Sequence, residues 1–126
     1  MHALILVFIG GGIGSAARYA VTTMVKNLIA TSFPFGTLAV NIVGSFLMGI
    51  IITIITGKFN YDSENARLLL TVGFLGGFTT FSSFSIETLT LIENRELFFA
   101  ISNVAANIIF GLIAAWFGII LIKNCL

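Results

Sequence analysis

Ionisable side chains are scarce in this sequence. Asp, Glu, Lys and Arg make up 9% of its 126 residues, where a soluble domain carries roughly a quarter. The six basic residues are scattered, so nothing here grips a run of phosphates, and a nucleic-acid partner is not expected. Cysteine is almost missing too. Cys125 stands one residue from the end, without a second thiol for a disulfide or a thiolate metal site. The single histidine, His2, lies at the opposite end, so no nucleophile, base and orienting group can be assembled. An enzyme is therefore not expected.

What the sequence has is apolar surface. Hydrophobic residues make up 58% of it, and the mean hydropathy is +1.11. A chain this short buries only about two-thirds of its unfolded surface on folding, so most of its Leu, Ile, Val and Phe must face lipid or a partner. Crossing a bilayer takes about 20 mostly apolar residues in a helix, because no water inside satisfies the backbone. Four segments qualify, roughly Ala3 to Val25, Phe35 to Thr56, Leu68 to Ile92 and Leu97 to Ile122. The connections run from Lys26 to Pro34, from Gly57 to Arg67, and through the tight turn Glu93-Asn94-Arg95-Glu96, which makes the last two helices antiparallel neighbours. The expected fold is one all-α, four-helix transmembrane domain over residues 1–126. The first span lacks the basic flank of a signal peptide, having only His2 and the amino terminus there.

Orientation follows the basic residues in short loops. Lys58, Arg67 and Lys123 fall on one side, and Lys26, Arg95 and Arg18 on the other. So even a balance leaves two readings, insertion in both directions with antiparallel pairing, or one orientation set by a slight bias.

The spans are not uniformly apolar. Thr37, Asn41, Ser45 and Gly49 follow one another at i+4 in the second span and stack on one face. Ser45 and Gly49 suit close helix packing, whereas a mid-span carboxamide such as Asn41 is costly without a partner and has two N–H donors for an anion or another helix. Asn103 and Asn107 begin a similar stripe in the fourth span that continues as Gly111 and Ala115.

The third span contains Gly73-Phe74-Leu75-Gly76-Gly77-Phe78-Thr79-Thr80-Phe81-Ser82-Ser83-Phe84-Ser85. Gly76-Gly77 marks a place for the helical ladder to fail, with freed carbonyls that could hold a cation. A continuous helix with a tightly packed glycine face is the other reading. Phe74, Phe78, Phe81 and Phe84 fall roughly on one face by their spacing. Such a stripe is usually packing, yet Phe81 and Phe84 sit among hydroxyls, and ring edges carry positive potential that attracts an anion. Arg18 and Glu87 are the charges most embedded in the spans, and embedded charges are candidates for function.

Three motifs carry a resemblance: Gly10-Gly11-Gly12-x-Gly14 with Arg18; Phe33-Pro34-x-Gly36-Thr37-Leu38-x-Val40-Asn41; and the third-span run from Gly73 through Ser85 to Glu87. Together they resemble the Fluc (CrcB) fluoride channel family across all four spans. The resemblance implies an antiparallel, dual-topology homodimer in the bacterial cell membrane with two pores, a break in the third helix, and passive export that lowers internal fluoride. It also implies a pore formed by Asn41, Phe81 and Phe84, with Thr80, Ser82, Ser85 and Asn107 nearby. A structural sodium ion is implied on the backbone carbonyls of Gly76 and Thr79, and Arg18 and Glu87 match recurrent charged positions without a settled role.

One departure concerns the fourth span, where such channels often carry Ser or Thr and this chain aligns Asn107, Gly111 and Ala115. Water or backbone then fills a shorter track, or a different second subunit does. The rival class is a proton-coupled small multidrug transporter, which shares the architecture but keeps its essential carboxylate in the first span; here that span has no acid, and the deepest one is Glu87. A non-transporting assembly subunit is the third reading.

Overall fold

A computed structural model describes residues 1–57 and 63–125. Lys58 and much of the 57–67 connection lie outside the described residues. The first helix, α1, is His2–Leu28, and the second, α2, is Phe35–Thr56. The third span is two pieces. Its first arm, α3 (63–78), starts as Ser63–Ala66, widens into π-type turns over Arg67–Leu75 and closes with Gly76–Phe78. Its second arm, α4, is Phe81–Glu93. The last helix, α5, is Leu97–Cys125. Among the described residues, four stretches are long and apolar enough to span a bilayer: His2–Leu28, Phe35–Thr56, Glu64–Glu93 and Leu97–Cys125.

Packing runs in two sheaves. α1 lies against α3, α5 lies against α2, and α4 bridges to α5. Without a hydrophobic force between helices in lipid, contact depends on close backbone approach. Gly14 shows this most clearly, because a Cβ there would stand 2.0 Å from the Phe74 carbonyl oxygen. The π-type widening belongs to the same interface. Gly76 donates its N–H to the carbonyls of Thr71 and Gly73, and the Thr71 hydroxyl donates back to the Arg67 carbonyl at 2.6 Å.

The predicted turn between the last two helices is present in a specific form. Glu96 N–H donates to the Leu91 carbonyl at 2.8 Å and Arg95 N–H to the Ile92 carbonyl at 3.0 Å. This is a Schellman cap, with Arg95 at φ 60° where glycine is usual. Ser32 donates to the Glu96 carboxylate, which ties this turn to the loop between α1 and α2. Phe33 anchors that loop, its ring 5.7 Å from Phe99 in an edge-on contact.

Two expectations are corrected. The break falls at Thr79-Thr80, three residues beyond Gly76-Gly77, with Thr79 at ψ 159° and Thr80 at φ −151°. Gly77 is a glycine for a different reason, since a Cβ there would come within 2.5 Å of the Gly11 carbonyl oxygen of α1. The four phenylalanines do not share a face either, because the break turns the chain between them. Phe74 stacks on Phe78 at 5.8 Å and 8°, while Phe81 pairs separately with Phe84 at 5.5 Å.

The Gly14 contact yields a stability test. Gly14→Ala should lower thermal stability in detergent by about 1–3 kcal/mol, the usual cost of overpacking, whereas Gly12→Ala, with nothing within 4 Å of its Cβ, should not. Equal melting temperatures for the two variants would refute close packing at Gly14.

Candidate functional site

The break sets the site. An interrupted helix in hydrocarbon frees backbone groups that must find partners. The Thr80 N–H, which an unbroken helix would give to the Gly76 carbonyl, donates instead to Asn41 Oδ1 at 2.8 Å. Asn41 Nδ2 returns a bond to the Thr80 carbonyl at 3.2 Å. The carboxamide of α2 thus grips both polar groups of one backbone residue. Gly44, one turn further along α2, leaves room for the Thr79 side chain, whose methyl would lie 2.2 Å from an added Cβ. On its far side, Thr80 caps α4, its hydroxyl oxygen accepting from Ser83 N–H at 3.2 Å.

From Asn41 the hydrogen bonds continue across the bundle. Asn41 Nδ2 donates to Asn107 Oδ1 at 2.9 Å. Asn107 Nδ2 donates at 2.9 Å to both the carbonyl and the Oδ1 of Asn103. Asn103 Nδ2 donates to Thr88 Oγ1 at 2.9 Å, and Thr88 donates to the Phe84 carbonyl at 2.7 Å. Asn103 is fully buried.

A cavity of about 370 Å³ lies along this wall, lined by Asn41, Ser45, Thr80, Phe81, Phe84 and Asn107, with Gly44, Met48, Thr79, Ile108 and Ala115 completing it. No charged side chain lines it. It therefore brings together Asn41, Thr80, Phe81, Phe84 and Asn107 from the sequence-predicted set. Ser82 and Ser85 do not line it: the Ser82 hydroxyl lies 3.4 Å from that of Thr80, and Ser85 donates to the Phe81 carbonyl at 2.9 Å. Ser45 does, although its spacing equally suited packing. Its hydroxyl oxygen lies 3.7 Å from where a Gly111 Cβ would be, so α2 provides a hydroxyl where the fourth span lacks one.

Glu87 and Arg18 sit apart from this cavity. Glu87 Oε1 accepts from Thr37 at 2.8 Å, and its Oε2 is buried without a partner among the described residues. Glu87 and Thr37 line a second cavity of about 370 Å³ that also holds Lys26, Thr23 and Ser32. Thr37 and Asn41 are one helical turn apart on α2, so the two cavities approach each other along that face. Arg18 Nη1 donates to the Thr79 carbonyl at 3.3 Å. Among the described residues no group of three His, Cys, Asp or Glu side chains could hold a metal ion.

Comparison with known proteins gives one consistent picture. Residues 5–119 match the family model described as CrcB-like protein, Camphor Resistance (CrcB). A fluoride-specific ion channel FluC from Parabacteroides distasonis is 48% identical over 124 residues, covering 98% of this chain and 95% of the relative. Proteins of the same name from Coxiella burnetii and Geobacter sulfurreducens are 45% and 44% identical, each over 94% of this chain and 95% of their own length.

Proposed function

This chain belongs to the CrcB-like family, and from that membership we infer its work: it is a fluoride-specific ion channel, a multi-pass protein of the bacterial cell membrane and not an enzyme. The observation that best supports a fluoride path in this chain is the uncharged cavity where Asn41, Ser45 and Thr80 face Phe81 and Phe84. A small anion gives up hydration only where donors replace it, and ring edges add positive potential without the desolvation cost of a buried cation. Both Nδ2 hydrogens of Asn41 are engaged. The longer bond, 3.2 Å to the Thr80 carbonyl, is the one an ion can replace while the 2.9 Å bond to Asn107 holds the amide in place. Outward flow needs no coupling ion, because a negative interior drives an anion out with about 2.3 kcal/mol per 100 mV. Fluoride that enters as the neutral acid and ionises inside thus leaves passively, and internal fluoride falls. The multidrug-transporter alternative finds no support among the relatives described above, each named a fluoride-specific ion channel FluC.

The pore is completed by a second, antiparallel copy of this chain. In favour of this, Phe81 is 79% exposed although it lines the cavity, so one chain leaves that wall open. The even division of Lys and Arg between the two ends supports dual topology.

A structural sodium ion on the Gly76 and Thr79 carbonyls fits the donor chemistry. The Gly76 carbonyl has lost its usual donor, since the Thr80 N–H goes to Asn41. Among the described residues the Thr79 carbonyl accepts a 3.3 Å bond from Arg18, which leaves it a lone pair. Backbone oxygens suit a hard cation, and a two-fold partner doubles their number. Bound there, sodium would supply fixed positive charge beside the break.

Three measurements follow. In liposomes carrying the purified protein, a fluoride electrode should record efflux far above that of chloride, and Phe81→Ile or Phe84→Ile should reduce it much more than they reduce dimer recovery on gel filtration. As space-fillers the rings would tolerate Ile within about 1.5 kcal/mol, so folded dimers with normal flux would return both to packing. For topology, single cysteines in the 57–67 connection, introduced after Cys125→Ser removes the exposed native thiol, should be labelled from both sides of the membrane; labelling from one side alone rules out the antiparallel arrangement. Replacing sodium by a large organic cation should lower both thermal stability and fluoride flux, and unchanged values would remove the ion from the account.

A further inference from the structure

The amides of the fourth span divide into two kinds. Asn107 lines the ion cavity, whereas Asn103, one turn away, is fully buried and does not line it. A fully buried carboxamide in a lipid-embedded bundle is costly unless its donors and acceptor are used. Asn103 uses its oxygen on Asn107 Nδ2 at 2.9 Å and its nitrogen on Thr88 Oγ1 at 2.9 Å.

The direction of these bonds is forced. The Thr80 N–H can only donate, so Asn41 must turn its oxygen toward it and present its nitrogen to Asn107. Asn107 must then show its oxygen to Asn41, which sends its NH2 toward Asn103. Were Asn107 to flip, its NH2 would face the NH2 of Asn41, donor against donor, and its oxygen would turn to the Asn103 carbonyl and Oδ1, acceptor against acceptor. Each cavity-lining amide therefore has its oxygen committed within the protein. An anion path requires this, since a loose carboxamide that turned its oxygen into the cavity would repel the ion.

We propose that Asn103 is a positioning residue for fluoride permeation: by accepting from the Asn107 amide it fixes the orientation of Asn107, whose oxygen then stays on Asn41 and out of the ion's way. Asn103 touches no ion itself. Thr88, which accepts from Asn103 and donates to the Phe84 carbonyl at 2.7 Å, holds the far end of the chain. The proposal rests on the fluoride-channel reading.

The test is fluoride and chloride efflux from liposomes, with dimer integrity checked by gel filtration, for Asn103→Leu, Asn107→Ala, their double variant, Thr88→Val and Thr88→Ser. Wild-type protein that passes no fluoride would overturn the channel reading itself, independently of Asn103. With an active wild type, Asn103→Leu should lose on the order of tenfold in fluoride flux, as expected for a broken buried hydrogen bond, and should narrow the fluoride-to-chloride ratio. Because Asn103 acts through Asn107, adding Asn103→Leu to Asn107→Ala should cost little more than Asn107→Ala alone. Thr88→Val should reproduce part of the defect and Thr88→Ser, which keeps the hydroxyl, should not. Normal flux and selectivity in a folded Asn103→Leu dimer, or losses that multiply in the double variant, would overturn the proposal. If Asn103→Leu does not fold, Thr88→Val decides, and a folded Thr88→Val dimer indistinguishable from wild type overturns it.

Discussion

Everything around the uncharged cavity depends on one grip, the carboxamide of Asn41 on the backbone of Thr80. A helix interrupted inside hydrocarbon must have its freed groups satisfied by protein, and here one side chain satisfies both the N–H and the carbonyl of the residue at the gap. The grip lets α3 stop and α4 restart in a new direction, which separates the two phenylalanine pairs and turns Phe81 and Phe84 toward the cavity. The same diversion of the Thr80 N–H leaves the Gly76 carbonyl without its helical donor. The proposed pore wall and the proposed cation site are thus two outcomes of one side-chain choice in α2.

Small residues make the grip reachable. Gly44 admits the Thr79 methyl against α2, and the tight α1–α3 contact at Gly14 fixes the arm leading into the break. These positions act through distance rather than chemistry. That is the expected economy in lipid, where burying another Leu gains nothing over leaving it among acyl chains.

The spans were legible in the sequence because hydropathy and length are one-dimensional properties, and so was the α2 stripe, whose i+4 spacing survives in three dimensions from Thr37 at Glu87 to Ser45 at the cavity. The position of the break was not. Gly76-Gly77 looked like the weak point, yet those residues stay helical and Gly77 meets α1. The useful signal was Thr80 with Ser83 three residues on, a hydroxyl cap that starts a new helix. Once the break is misplaced, periodicity carries the phenylalanine stripe straight through it, and all four rings fall wrongly on one face. The difference between Asn103 and Asn107 was invisible for another reason: the two have the same residue type on the same helix face, and only packing against α4 buries one and leaves the other at the cavity.

The amide chain has a topological property as well. It starts at Thr80, the cap of α4, passes through Asn41 of α2 and through Asn107 and Asn103 of α5, and returns to α4 at Thr88. It is a closed loop that holds one helix at two points, two turns apart. A helix pinned once can swivel about the pin; pinned twice, it can neither roll nor slide without straining both attachments together. In mechanical terms the wall carrying Phe81 and Phe84 is a fixed jaw, so in the proposed pore it would sort ions by its static dimensions rather than by a closing movement.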